Sequence, residues 1–205
     1  MSQRGILLAF EGVDGSGKST QARRVAHDRN ALFTFEPGAS ALGAQLRTWL
    51  LDAATPMTPT TEALLMLADR AHHVATVIEP ALAAGHDVVT DRFVGSTLAY
   101  QGYGRGVDLR ALEVVTALAV GDCRATLTVL IDVPVEIAHA RRGVDMTDRF
   151  ESSSDRFHEA VRQGYLELAR KRGESWIIID GSLDEGSVSR AIDESVAALA
   201  WSTSG

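Results

Sequence analysis

The stretch that decides the fold is Gly12-Val-Asp-Gly-Ser-Gly-Lys-Ser19, which closely follows the apolar run Ile6–Phe10. It matches the pattern G-x-x-x-x-G-K-[ST], in which a glycine-rich turn leads from a buried strand into a helix. The glycines let backbone N–H groups surround phosphate oxygens, and the N-terminus of the helix adds partial positive charge. We therefore predict a phosphate-binding loop here, and residues 12–20 are called the cradle below.

The cradle is predicted to hold the phosphates of ATP. Lys18 should reach the β- and γ-phosphates, and Ser19 should ligate Mg²⁺. The alternative is a glycine-rich turn that carries a lysine by chance. The predicted nucleotide-binding residues are Gly12, Val13, Asp14, Gly15, Ser16, Gly17, Lys18, Ser19 and Thr20.

Short apolar runs alternate with helical patterns along the whole chain. Such alternation predicts an α/β fold, a doubly wound parallel five-stranded sheet of the P-loop NTPase type flanked by helices. Its ligands should lie at the carboxyl ends of the strands. Since no linker or repeat divides the chain, residues 1–205 are predicted to form a single domain. The predicted strands are Ile6–Phe10, Leu32–Phe35, Asp87–Asp91, Thr126–Asp132 and Trp176–Asp180.

The clearest helical pattern extends from Thr60 to Ala84, with a kink expected at Pro80. Its apolar residues recur every three or four positions and predict one buried stripe. Met66, Arg70 and His73 share a different face. The predicted stripe consists of Leu64, Leu67, Ala68, Ala71, Val74, Ala75, Ile78 and Leu82.

The charge and cysteine content exclude several classes of protein. The chain has 20 Lys+Arg against 27 Asp+Glu, a net charge of −7, which disfavours general binding to nucleic acid or to an anionic membrane. The single cysteine, Cys123, cannot form an internal disulfide. No stretch approaches the roughly 20 apolar residues that span a bilayer. We therefore expect a cytoplasmic protein.

The cradle alone does not name the reaction, because GTPases, motors and small-molecule kinases share it. The sequence has no Asn-Lys-x-Asp motif for reading guanine. An ATP-driven switch or nucleic-acid motor would usually need a longer chain or a basic track. A small kinase fits best.

The acceptor side is predicted where the third strand ends, at Asp91-Arg92. The segment Ser96–Gly104 then gathers hydroxyls, an amide and glycines, as a polar nucleoside pocket requires. The alternative is a helix N-terminus capped by Ser96.

Several blocks of sequence resemble the bacterial thymidylate kinases and occur in that family's order along most of the chain. They are Phe10–Gln21, Glu36–Gly38, Leu64–Val74, Asp91–Val94, Ala99–Gly102 and Arg162–Ala169. The resemblance implies transfer of the γ-phosphoryl group of ATP to dTMP, giving dTDP and ADP for dTTP synthesis. It also implies a homodimer, for which Ala111–Val120 could form the contact or could equally be core.

The resemblance further assigns roles on the acceptor side. Asp14 is expected near the acceptor phosphate and the metal, Arg92 on that phosphate, Arg70 at the thymine edge and Tyr100 against the deoxyribose. The implied substrate-binding residues are Glu36, Pro37, Met66, Arg70, Asp91, Arg92, Thr97, Tyr100 and Gln101, and the implied metal ligands are Ser19 and Asp91.

Relatives whose cradle contains Gly-Ser-Gly without an arginine usually supply positive charge from a mobile lid after the fourth strand. Here the resemblance implies a lid at about residues 141–151, with Arg141, Arg142 and Arg149 as candidates. The alternative is a solvated helix surface. The implied catalytic residues are Asp14, Lys18, Arg92, Arg142 and Arg149.

The chain departs from the family pattern at five places. An arginine is usual at Phe35, Gly-Thr at Ala39-Ser40, tyrosine at Phe93, aspartate at Gly95 and a base-stacking phenylalanine at Met66. Lys18 and Arg92 are retained, so we expect altered affinity rather than lost activity. Two alternatives remain. One is a kinase for another deoxynucleotide or a small metabolite, and the other is an ATP-dependent binding or regulatory protein.

Overall fold

A computed structural model describes residues 4–142, 149–150 and 153–201, without the side chain of Arg142. Its five strands are β1 Leu7–Glu11, β2 Leu32–Phe35, β3 Val88–Asp91, β4 Leu127–Asp132 and β5 Trp176–Asp180. All of their pairings are parallel, and the strand order is β2-β3-β1-β4-β5. The predicted fold class is confirmed, and each strand bound lies within one residue of its predicted position.

Helices occupy most of the described chain between the strands. Within that part, no helix has both the length and the apolar character that a bilayer crossing requires. The helices are α1 Lys18–Asp28, α2 Ala41–Leu51, α3 Pro59–His73, α4 Glu79–Ala83, α5 Val94–Thr97, α6 Leu109–Val120, α7 Val135–Arg142, α8 Asp155–Arg172 and α9 Glu185–Val196.

Both faces of the sheet are buried, as expected of a parallel sheet between helices. In β1, Leu8 and Phe10 pack on the side of α1 and α9, where Ile192 joins them. Leu7 and Ala9 face the opposite way, towards Ile78 and the α3–α4 region. The sheet thus holds the carboxyl end of β1, and the cradle after it, in a fixed position.

The segment from α3 to α4 differs from the single predicted helix. A π-helical turn, Val74–Ile78, joins α3 to α4, and Pro80 lies in the first turn of α4. A second π-helical segment, Leu98–Gly104, follows α5. Such turns are frequent at functional sites, because they shift side chains relative to a regular helix.

The predicted apolar stripe on this segment is only partly correct. Leu67, Val74, Ile78 and Leu82 are buried, but Leu64 is 52% exposed. Ala68 and Ala75 are also exposed. The buried face of α3 instead includes four polar residues, since it closes the acceptor site described below. They are Glu62, Asp69, Arg70 and His73.

Candidate active site

The cradle turns on glycines in backbone conformations that other residues rarely adopt. Gly12, Gly15 and Gly17 have φ values of 143°, 85° and 90°. A Cβ on Gly12 would also lie 2.6 Å from the carbonyl oxygen of Ile131 on β4. The loop therefore fits tightly between β1 and β4 and delivers the chain to the start of α1.

Lys18, the first residue of α1, is buried and points back into the cradle. Its Nζ donates to Val13 O at 3.4 Å and to Asp14 Oδ1 at 3.2 Å. Ser19 is exposed. The Ser16 hydroxyl is buried and has no hydrogen-bond partner among the described residues. A phosphate oxygen is a natural acceptor for this hydroxyl and for Lys18.

The buried carboxylate of Glu11 fixes the turn after β3. Its Oε1 accepts from the backbone N–H groups of Phe93 and Ser96, both at 3.0 Å, and its Oε2 accepts from Ser96 Oγ at 2.6 Å. Immediately before the first of these anchors, Arg92 adopts φ 73°. Burial raises the pKa of Glu11, against the opposing effects of Ser96 and Arg92. The Ser96 hydroxyl therefore donates to Glu11. The alternative, in which Ser96 caps a helix N-terminus, is wrong.

Arg92 crosses from β3 to the cradle and pairs with Asp14. Its guanidinium also donates to Gly12 O at 3.3 Å and to Tyr100 OH at 3.1 Å. Tyr100 in turn donates to Asp14 Oδ2 at 2.9 Å. Burial alone would raise the pKa of Asp14, but the charges of Arg92 and Lys18 outweigh it and hold that pKa well below its usual range. Arg92, Asp14 and Tyr100 thus form one cluster beside the cradle, in which Arg92 is placed to contact an anionic phosphate.

A second buried cluster fixes Arg70 on α3. Its Nε donates to Glu36 Oε2 at 2.7 Å, Nη1 to Thr97 Oγ1 at 2.6 Å and Nη2 to Phe93 O at 2.8 Å. The other oxygen of Glu36 contacts His73 Nδ1 at 2.9 Å. Burial raises the pKa of Glu36, but Arg70 and His73 overcome that effect and lower it. Arg70 is thus held rigidly in one orientation.

One solvent-open cavity connects these two clusters. Thus Arg92 with Asp14 and Arg70 with Glu36 line one space. Asp91 does not line it; its Oδ1 is buried and has no hydrogen-bond partner among the described residues. The cavity is called the acceptor pocket below, and its predicted members are Asp14, Glu36, Pro37, Met66, Arg70, Arg92, Thr97, Tyr100 and Gln101.

The lid prediction falls largely outside the described residues, which exclude 143–148, 151–152 and the Arg142 side chain. Arg149 lies at the α2–α3 connection, where its Nη2 donates to Asp52 O at 3.1 Å. Phe150 packs edge-on against Tyr100, with 5.6 Å between ring centroids. The role of Arg149 at the transferring phosphoryl group stays a prediction.

Arg141 lies on the other side of the cradle. Its Nη1 donates to Gly181 O at 2.8 Å. A second cavity is lined there by Arg141, by Ser16 and Thr20 of the cradle, and by Leu183 after β5. The cradle therefore has the acceptor pocket on one side and this second cavity, called the donor cavity below, on the other.

Two departures from the family pattern have local explanations. Phe35, where an arginine is usual, faces Arg47 of α2, whose guanidinium carbon lies 5.8 Å from the centroid of the Phe35 ring. Arg47 itself lines the acceptor pocket. At Gly95 a Cβ would lie 2.6 Å from the Trp176 ring, so an aspartate would not fit beside that indole.

Sequence reasoning missed several residues of the site. Three of them line the acceptor pocket: Arg47, Asp69 and Phe150. Tyr165 OH accepts a hydrogen bond from Arg92, and Glu11 accepts one from the backbone N–H of Phe93 in the turn after it. The sequence signal for Glu11 was a charged residue at the end of an otherwise apolar strand. Arg47 gave no comparable signal, because a lone arginine on a helix usually lies in solvent.

The comparisons with known proteins cover nearly the whole chain. A family model described as "Thymidylate kinase" matches residues 10–192. The protein named thymidylate kinase from Desulforudis audaxviator is 44% identical over 202 residues, covering 95% of this chain and 91% of the relative. The one from Burkholderia thailandensis is 44% identical over 206 residues, covering 96% and 99%. A crystal structure of thymidylate kinase from Ehrlichia chaffeensis, 29% identical, matches with a TM-score of 0.79 over 95% of this chain and 99% of that one.

Proposed function

The chain belongs to the thymidylate kinase family, and on that premise we propose how its own residues transfer the γ-phosphoryl group of ATP to dTMP. The reaction is that of a nucleoside monophosphate kinase and gives dTDP and ADP. One observation carries the proposal: the acceptor pocket joins a fixed arginine at each end, Arg70 and Arg92, directly beside the cradle.

The acceptor pocket takes dTMP with its base towards α3. Arg70 and Gln101 bind the thymine edge, Thr97 contacts the base, and Met66 lies against its ring. At the other end Arg92 binds the phosphate. Tyr100 lies between the two ends, where it packs against the deoxyribose. The three hydrogen bonds that already hold Arg70 support this orientation, since a rigid donor discriminates between bases better than a mobile one.

The cradle takes the phosphates of ATP, and the donor cavity takes its nucleoside. Lys18 and the backbone N–H groups bind the β- and γ-phosphates. The burial of Lys18 supports this role, as does the Ser16 hydroxyl, which has no partner within the described part of the chain. Arg141 and Leu183 supply a charged and an apolar wall for the nucleoside.

Mg²⁺ is the metal that phosphoryl transfer of this kind uses, and it neutralises the charge of the donor phosphates when bound. Ser19 and Asp91 are the residues that would hold it. Oδ1 of Asp91 is buried at the carboxyl end of β3 and has no hydrogen-bond partner in the ranges that the structure describes, which fits a hard cation that prefers oxygen ligands.

Transfer itself requires little covalent chemistry from the protein. An oxygen of the dTMP phosphate attacks the γ-phosphorus in line, the bond to the β,γ-bridging oxygen breaks, and ADP leaves. Lys18, Arg92 and the lid arginines Arg142 and Arg149 hold the two anions together and neutralise the transition state. Asp14 keeps Arg92 oriented towards the cradle.

The chain acts as a cytoplasmic homodimer in this proposal. Exposed apolar side chains on α3 and α6, two helices that contact each other, support a contact between two copies. They are Leu64, Val114 and Leu118, called the apolar patch below, and the last two are 70% and 82% exposed. Leu112 and Val120 of the same helix face the core. The predicted Ala111–Val120 segment therefore divides between core and surface.

A coupled assay of ADP release with several acceptors tests this proposal. We expect rapid release with dTMP, slower release with dCMP and dGMP, and none with shikimate. Release that is equally fast with every acceptor, or with none, would contradict it.

A further inference from the structure

A buried carboxylate on α3 contacts the amide that is proposed to bind the base. Glu62, Met66 and Arg70 recur every four residues, so they share one face of α3. Met66 and Arg70 line the acceptor pocket, whereas Glu62 lies one turn further towards the start of the helix and is 2% exposed. Its Oε1 accepts a hydrogen bond from Gln101 Nε2 at 3.1 Å.

This contact determines which end of the Gln101 amide faces the pocket. An ionised carboxylate has no proton to donate, so the amide atom beside Glu62 must be the nitrogen. The carbonyl oxygen is then directed away from Glu62. Gln101 lines the pocket, and among the described residues its side chain makes no other hydrogen bond. Gln101 therefore offers the pocket an acceptor.

Two guanidinium groups account for a carboxylate at this buried position. Arg105 Nε donates to Glu62 Oε1 at 3.3 Å, and Arg149 Nη1 lies 4.0 Å from Oε2. Burying a carboxylate is costly unless it is paired. The two guanidinium groups therefore stabilise a carboxylate acceptor beside Gln101.

We propose that Glu62 is a positioning residue for base selection, which fixes the amide orientation of Gln101 and so favours a pyrimidine that carries a proton on N3. This inference rests on the proposed function of the acceptor pocket. Glu62 does not touch the nucleotide; it acts through Gln101.

The chemistry of the two pyrimidines explains the selection. Thymine presents a donor at N3–H beside an acceptor at O4, which match the Gln101 carbonyl and the Arg70 N–H groups. Cytosine presents an acceptor at N3 and an amino group at C4. Its N3 would then face the Gln101 carbonyl, acceptor against acceptor, and its amino group would face the Arg70 N–H groups, donor against donor. Each buried group left unpaired lowers affinity by about tenfold.

The test compares kcat/KM for dTMP and dCMP in the wild type, Glu62→Met and Glu62→Gln. Methionine keeps the length of the side chain but removes the acceptor, so the dTMP to dCMP ratio should fall by about tenfold. Glutamine keeps one carbonyl oxygen for Gln101 and should restore most of the ratio. A folded Glu62→Met enzyme with an unchanged ratio, including one in which both activities fall equally, would overturn the inference.

Arg105→Met is the matched control, because it removes a partner of Glu62 and leaves the acceptor in place. The dTMP to dCMP ratio of kcat/KM should stay at the wild-type value in this variant. A fall as large as that of Glu62→Met would overturn the inference. A wild-type enzyme that does not phosphorylate dTMP would instead overturn the proposed function.

If Glu62→Met does not fold, NMR of the wild type with labelled glutamine side chains decides. Binding of dTMP should protect the thymine imino proton from exchange and leave the Gln101 amide protons bound to Glu62. Amide protons that move onto the base would overturn the inference.

Discussion

Arg92 combines a backbone conformation that is unfavourable for its residue type with a position between the acceptor pocket and the cradle. At φ 73° a residue with a Cβ incurs a cost of about 1–2 kcal/mol. The three hydrogen bonds from the following turn to Glu11 offset this cost. The backbone strain orients the guanidinium before a ligand arrives, and such preorganisation favours transfer over loose binding.

Met66 is a residue of the acceptor pocket whose replacement should change dTMP binding. It lines the acceptor pocket and is partly exposed, so its side chain can contact a bound base. Aromatic stacking on a base contributes about 1–3 kcal/mol, and a thioether supplies only part of that. Met66→Phe should therefore tighten dTMP binding by about fivefold with little change in kcat.

Titration calorimetry with dTMP, together with thermal unfolding, measures both effects. A lower melting temperature with unchanged affinity would mean that Met66 is a packing residue and that the base lies elsewhere.

Glu36 connects the end of β2 to α3 through Arg70 and His73. The pKa of Glu36 is lowered in the folded protein. As the pH falls towards and below about 4.3, the ordinary pKa of glutamate, the unfolded chain therefore binds a proton at Glu36 more readily than the folded protein does. The free energy of unfolding should therefore be greatest above that pH and should fall as acid is added.

Urea unfolding at several pH values tests this linkage with Glu36→Gln. The variant should be less stable than the wild type by about 3 kcal/mol at pH 7, and the difference should narrow in acid. The exposed substitution Glu113→Gln should follow the wild type at every pH. A gap between wild type and Glu36→Gln that is constant with pH would contradict the account.

The elements were largely predictable from the sequence, and the contacts between them were not. Apolar runs bounded by charges, such as Thr126–Asp132, indicate buried strands because side-chain burial is a local pattern. The pairing of Glu62 with Gln101 joins residues far apart in sequence and leaves no periodic signal. Helical periodicity also misled at Leu64, because the buried face of α3 is polar where it closes the acceptor pocket.

For the whole molecule, the apolar patch on α3 and α6 predicts association of two copies. Leu118→Glu places a charge at its most exposed leucine and should yield a monomer, because a buried unpaired carboxylate is costly at an interface. Sedimentation velocity at micromolar concentration measures the mass. Leu183→Glu, an exposed leucine on the turn after β5, should leave the mass unchanged. A wild-type chain that sediments as a monomer would contradict the dimer.

The acceptor pocket and the cradle together are proposed to move a phosphoryl group from ATP to dTMP. The most direct measurement follows the label from γ-³²P-ATP in the presence of dTMP and Mg²⁺, with products separated by chromatography. We predict that the label appears in dTDP in step with ADP, and that Lys18→Ala lowers this transfer by orders of magnitude while the chain stays folded. Label that appears only in inorganic phosphate, or transfer that is normal in folded Lys18→Ala, would contradict the account.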